Sequence, residues 1–340
     1  MRSKNPRIIV ILGPTSSGKS EIAIRLAKKF DGEIISADSR QIYRGMDVGT
    51  GKVPKSKIKN QKSKLQFKNK KFNPYWSNGV AHYLIDIVSP KTNYNAAKFK
   101  KDAYGALKFI INRGKIPIIC GGTGFWIKSI VDNVAYPEVK PDWKLRNKLR
   151  NNSAEKLFKM LEKLDPKRVT NIDKNNKVRL IRAIEICKKL KHVPSLPPGE
   201  MSRSDREGEN HNFLQIGIKL PKEKLHKNIK KRLKKRFEAG MIKEIKDLKK
   251  QGLSWKKIQS FGLGYFWIPL YLHPIKYAVK RRPPKAEFNM VKNKKELFDK
   301  IYQAEKDYAK RQMTWFGKDK RIKWIEKYKD IEKEAMSFLK

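Results

Sequence analysis

Short apolar runs alternate with longer amphipathic ones over the first 120 residues. Ile8-Ile-Val-Ile-Leu12 is β-branched and continuous, which predicts a strand covered on both faces. Glu21 to Lys29 follows with Ile22, Ala23, Leu26 and Ala27 at helical spacing. Glu33-Ile-Ile-Ser36 predicts a second strand after a turn at Gly32, and His82 to Val88 a third. Tyr94 to Arg113 predicts a helix with Ala97, Tyr104, Leu107 and Ile111 on one side, stopped by Gly114. Ile116-Pro-Ile-Ile-Cys120 predicts another buried strand. Strands alternating with helices imply a parallel sheet flanked by helices.

The pattern changes near Pro137. Strand signals vanish to about Asp205, and amphipathic helices are expected over 142–151, 153–164 and 175–190. Phe213 to Leu220 reads as a strand, 222–251 and 294–314 as helices, Arg321 to Ile325 as a short strand, and the last residues as a helix. A helical block between sheet segments predicts an insertion. The expected division is a core over 1–137, an inserted helical subdomain over 138–205, and a mostly helical second part of the core over 206–340. Residues 52–79 have many like charges and no period, which predicts a solvated mobile loop or an RNA-grazing arm. The Pro-rich stretch 194–199 and the Pro- and basic-rich stretch 273–290 predict loops.

Chemistry enters at Gly13-Pro-Thr-Ser-Ser-Gly-Lys-Ser20, which fits G-x-x-x-x-G-K-S between a strand and a helix. That context predicts a P-loop NTPase-like fold. Backbone N–H groups of Gly13, Pro14's successors Thr15, Ser16 and Ser17, and Gly18 converge on an anion with the positive end of the helix. Lys19 adds a point charge, and the Ser20 hydroxyl can hold Mg²⁺. The loop alone does not distinguish ATP, GTP and a pyrophosphate ester. Asp38 falls just past the carboxyl end of the second strand, on the edge where ligands bind in such sheets. It can work as a general base or water-mediated metal ligand, or simply cap a following helix. Gly121-Gly-Thr-Gly124 adds a third polar turn on that edge.

Composition narrows the partners. Lys+Arg 81 against Asp+Glu 33 give a net charge of +48, which suits a polyanion, with nucleic acid first. Cys120 and Cys187 make no disulfide framework and suggest a reducing compartment. Without a run of about 18 apolar residues or a signal-type segment, the expected location is the cytoplasm.

The motifs also fall in a family order. Gly13-Pro-Thr-x-x-Gly-Lys-Ser20, Ala37-Asp-Ser-x-Gln-Ile-Tyr-x-Gly-Met-Asp-x-Gly-Thr50, His82-x-Leu-Ile-Asp86, Gly121-Gly-Thr123, Arg179-x-x-Arg-Ala-Ile-Glu185 and Ala309-Lys-Arg-Gln-x-Thr-Trp315 together resemble the tRNA dimethylallyltransferases. The resemblance runs from about residue 7 to 326. It implies transfer of a dimethylallyl group from dimethylallyl diphosphate to N6 of the adenosine beside the tRNA anticodon, with Mg²⁺ as cofactor; the expected state of the protein is a monomer. It implies that residues 13–20 hold the diphosphate, that Asp38 takes the amine proton, and that Thr15, Lys19 and Arg232 serve the reacting centre. It implies tRNA contacts at Asp38, Ser39, Arg40, Gln41, Thr123, Arg146, Arg179, Arg182, Arg311 and Gln312. Ile229, Arg232, Gly240 and Glu244 match a further family pattern, whereas Phe266-Trp267 stands where the family has a charged pair. The competing readings are a small-molecule kinase of the same fold and a non-catalytic RNA-binding ATPase.

Overall fold

The computed structural model describes residues 5–56, 65–67, 70–72, 74–190, 211–273 and 291–340. The strands are β1 (Arg7–Leu12), β2 (Gly32–Ala37), β3 (Leu65–Phe67), β4 (Lys70–Phe72), β5 (Tyr75–Ser77), β6 (Val80–Tyr83), β7 (Ile116–Gly121), β8 (Asn212–Ile218) and β9 (Lys323–Ile325). Seven of them form one sheet in the order β5-β6-β2-β7-β1-β8-β9, and β3 pairs with β4 separately. Every neighbour in the large sheet is parallel except β5 with β6. Ile8 to Leu12 are all 0% exposed, which is the burial expected of a central parallel strand.

The chain forms two compact units: residues 1–127 with 210–340, and residues 128–209. In the first unit, α1 (Lys19–Lys29) and the C-terminal α13 (Tyr328–Leu339) place Ala23, Leu26, Ile331 and Ala335 in one core with Ile9, Ile11, Ile118 and Ile216. Helix α2 (Ala96–Asn112), capped by the Asn95 side chain, stacks Phe99 on Trp126 at 4.3 Å. Helix α3 (Gly124–Val131) follows β7. In the second unit, α4 (Trp143–Arg150), α5 (Ala154–Leu164), α6 (Pro166–Val169) and α7 (Lys177–Leu190) close over Leu149, Leu157, Leu161, Leu180 and Ile184. Asp142, Ser153 and Asp165 cap the first three of these helices.

Four expectations are corrected, and two helices are added. The stretch 222–251 is two helices, α8 (Lys222–Glu238) and α9 (Met241–Lys250), because Gly240 takes φ 91° and turns the chain. Helices α10 (Trp255–Gln259) and α11 (Gly264–Leu272) precede the long α12 (Lys294–Phe316) and had no clear periodic signal. The strand at His82 ends at Tyr83, since Leu84 and Asp86 have positive φ. No helix follows Asp38, so it caps none; its Oδ1 accepts from Arg40 N at 2.9 Å in a turn. The 52–79 stretch carries strands, and Lys52 is buried: its side chain is 2% exposed, paired with Asp47 and Asp86 and donating to Tyr43 O. The predicted loops at 194–199 and 274–290 lie outside the described residues. Among the described residues, no helix is long and apolar enough to cross a membrane.

Candidate active site

Sheet register brings the three polar turns together. Leu12 and Ala37 both pair with Gly121, so the loop after β1, the Asp38 turn after β2 and the Gly turn after β7 emerge side by side. Gly13, Ser16 and Gly18 all have positive φ, at 144°, 62° and 88°, and this curls the loop. Ser16 and Ser17 Oγ are buried without a hydrogen-bond partner. Curled amides and unpaired hydroxyls at a helix N-terminus are donors suited to an anion.

The loop opens into a cleft of about 880 Å³ in the first unit. Thr15, Ser16, Gly18, Lys19, Ser20, Asp38, Arg40, Gln41, Arg232 and Gln312 line it. Gly13, Pro14, Ser17, Ser39, Thr123 and Arg311 are not on its wall. Pro14 O accepts from Lys19 Nζ at 2.6 Å. Thr123 Oγ1 accepts from Ser39 N at 3.1 Å and steadies the Asp38 turn. Arg311 is exposed, 5.9 Å from the Tyr308 ring centre.

Lys19 is perturbed. Burial draws its pKa from 10.5 to about 8; Arg232 pushes the same way, and Cys120 and Asp38 resist. The Arg232 pKa is also lowered, by burial first and then by Arg236. Cationic groups short of counter-charge in a cleft mark a site for an anion. The Cys120 thiol is pushed up to about 11 by burial, so it is not a thiolate nucleophile.

Two side chains join the turns. Gln312, buried on α12, accepts from Thr15 N at 2.8 Å and donates to Gly122 O at 2.8 Å. Arg232 on α8 donates to Thr15 Oγ1 at 3.0 Å and Gly51 O at 2.8 Å. The residues at 228, 232 and 236 stand four apart on α8, and all line the cleft. The sequence reading named only Arg232 of these. Asn228 and Arg236 were missed because α8, outside its apolar stripe of Leu225, Ile229 and Leu233, is crowded with lysines among which the spacing was lost; the cleft-lining Glu305 and Tyr308 stand on α12, where neither differs in sequence from the polar positions around it.

Among the described residues, no three His, Cys, Asp or Glu side chains form a metal cluster. Mg²⁺ needs few protein ligands when phosphate oxygens and water complete its shell. Ser20, with Asp38 on the same cleft, fits that requirement.

The second unit holds the remaining predicted residues. Arg146 and Arg182 converge on Glu185, whose side chain is 1% exposed. Arg146 makes a bidentate pair at 2.8 and 2.7 Å, and Arg182 also donates to Val139 O at 2.9 Å. Burial alone would raise the Glu185 carboxyl, but these guanidiniums hold it at about 2. Arg179 is exposed. Trp143, which the sequence reading passed over, is 62% exposed with the Arg146 guanidinium 5.2 Å from its ring centre.

Comparison with known proteins matches this arrangement to a family. The family described as IPP transferase covers residues 41–319, and that described as isopentenyl transferase covers residues 6–71. The tRNA dimethylallyltransferase of Acetivibrio thermocellus is 36% identical over 327 residues, 94% of this chain and 91% of that protein. The protein of the same name from Staphylococcus carnosus is 35% identical over 337 residues, 96% and 93%. The crystal structure of a tRNA delta(2)-isopentenylpyrophosphate transferase from Staphylococcus epidermidis aligns at TM-score 0.59 and 32% identity, covering 98% of this chain and 99% of that one. That of the full-length tRNA isopentenylpyrophosphate transferase from Bacillus halodurans aligns at TM-score 0.63 and 27% identity, covering 98% and 97%. With its glycine-rich loop and acidic turn side by side, and these matches along nearly its whole length, the chain belongs to the tRNA dimethylallyltransferase family of IPP transferases.

Proposed function

We propose that this enzyme takes the dimethylallyl group from dimethylallyl diphosphate, joins it to N6 of the adenosine beside a tRNA anticodon, and releases diphosphate. Transfer of a dimethylallyl group to tRNA is the activity its family carries. The observation that carries the finer reading is one cleft lined by both an anion-binding loop and the Asp38 carboxylate, on adjacent strand ends.

In this reading the allylic C–O bond breaks and its electron pair leaves with the diphosphate. The loop amides, Lys19 and Arg232 meet the charge that grows there. The N6 nitrogen attacks the allylic carbon, and Asp38 accepts the N6 proton, because an exocyclic amine is a weak nucleophile until deprotonated. Thr15, fixed by Gln312 and Arg232, sets the loop against that centre. Mg²⁺, when bound at Ser20 with the diphosphate oxygens, would supply Lewis-acid stabilisation of the leaving group. The adenine leaves its stack to enter, at a cost of a few kcal/mol in an anticodon loop. We assign the anticodon arm to the 128–209 unit, with exposed Arg179 on phosphate and Arg146 beside Trp143. Ser39, Arg40, Gln41, Thr123 and Arg311 belong to the RNA side of the core in the same reading. We further read the protein as a cytoplasmic monomer.

The test is incubation with radiolabelled dimethylallyl diphosphate and tRNA. Label should enter tRNA, and Asp38→Ala should abolish most turnover while tRNA affinity stays within a few-fold. ATP consumption without label in tRNA would overturn the assignment in favour of a kinase or ATPase.

A further inference from the structure

Glu244 stands in the first turn of α9 and is not on the cleft wall. Its carboxylate nevertheless takes four hydrogen bonds. Oε2 accepts from Asp47 N at 2.7 Å and Val48 N at 2.6 Å; Oε1 accepts from Gly49 N at 3.0 Å and Tyr265 Oη at 2.7 Å. Three successive backbone amides thus point at one side chain from a distant part of the sequence. A carboxylate can satisfy all four donors, and charge strengthens each bond.

The same turn works on its other side through carbonyls. Gly49 O accepts from Arg236 at 2.9 Å, and Gly51 O accepts from Arg232 at 2.8 Å. The fit leaves no slack: a Cβ on Gly49 would lie 2.6 Å from Tyr265 Oη, and one on Gly51 would lie 2.1 Å from the Arg232 guanidinium. Arg232 in turn reaches Thr15 Oγ1 in the anion loop.

We infer that Glu244 is a positioning residue: it folds the 47–51 turn into the shape that aims Arg232 at the bound diphosphate. Amides captured on one side orient the carbonyls on the other, and those carbonyls fix a guanidinium whose partly buried stem cannot choose its direction alone. Arg232 without the turn would still be cationic but would not be aimed. The inference rests on reading the loop as a diphosphate site.

A double-mutant cycle on the full chain tests it, with inorganic pyrophosphate binding followed by calorimetry. Glu244→Gln keeps the shape but replaces an acceptor oxygen with an NH₂ group facing donors. It should weaken pyrophosphate by about tenfold, the scale of one or two unpaired buried polar groups. Arg232→Ala should weaken it at least as much, and the double variant should bind no worse than Arg232→Ala alone, because both act through one group. tRNA affinity should stay within about twofold of wild type in E244Q, by the same filter assay for each protein. Additive losses in the double variant, unchanged pyrophosphate binding in E244Q, or equal losses of pyrophosphate and tRNA would each overturn the inference. Should E244Q not melt cooperatively, Tyr265→Phe, which removes one donor only, carries the same cycle: a loss that vanishes on the R232A background supports the inference, and one that persists overturns it. Normal pyrophosphate binding by a protein that never prenylates tRNA would defeat the functional reading and leave this one standing.

Discussion

At Lys19 the chain keeps an ammonium where burial disfavours one. Its pKa of about 8 in the fold lies below the ordinary 10.5, so the unfolded chain binds that proton more tightly. Stability therefore rises with pH through the window between those values, and below it the charged side chain is a burden on the unliganded fold. Lys19→Met should raise the melting temperature at pH 7, with the advantage shrinking as pH climbs above 8. The same variant should lose most pyrophosphate affinity at pH 7 and show less weakening than wild type between pH 7 and 9. Calorimetry at several pH values checks both; a lower melting temperature for K19M at pH 7 would contradict the assigned burial cost. Gln312 is the neutral counterpart. Gln312→Ala would leave Thr15 N and Gly122 O without their partner, at about 1–3 kcal/mol. Chemical denaturation should show that loss, and KM for the allylic donor should rise because Thr15 is no longer fixed.

Among the elements, the boundaries that matter most to the site are those with the weakest sequence signal. Helices α8 and α9 share one cationic, amphipathic pattern, and only Gly240 divides them. Nothing lies nearer than 3.8 Å to a Cβ built there, so the requirement is the positive φ and not space. Gly240→Ala should cost about 1–2 kcal/mol from the dihedral alone, read as a lower urea midpoint with unchanged slope. The break turns Glu244 towards the 47–49 amides, contacts about two hundred residues away that no local pattern announces. The loop after β1 was legible because its glycines, Lys19 and Ser20 form a local motif with a strand before and a helix after. Arg236 and Glu305 were not, since a buried ion pair reads in sequence as two more surface charges. Lys52 was misread for the same reason: in a lysine-rich run only its tertiary partners Asp47 and Asp86 show that it is buried.

For the whole molecule, a net charge of +48 fits a polyanionic partner and implies counterion release on binding. tRNA affinity should fall steeply with salt, on the order of a thousandfold or more between 50 and 200 mM if six or more phosphates are contacted. Filter binding across that range checks it, and a shallow slope would mean the lysines serve something other than RNA. Pyrophosphate binding, with fewer charges in contact, should respond less.

The sequence by itself determined the alternation of β1, α1, β2, α2 and β7, the curled glycine-rich loop between β1 and α1, and the helical insertion, because periodicity, caps and glycine turns act over a few residues. Its ordered motifs also carried the family, since they record residue types and spacings directly. Only the tertiary structure decided which cations face the cleft, that Gln312 ties two turns together, and that Glu244 commands a turn it is far from in sequence. Those facts depend on what approaches each side chain across the fold, and burial and partner, not residue type, set whether a charge is solvated surface or part of a site.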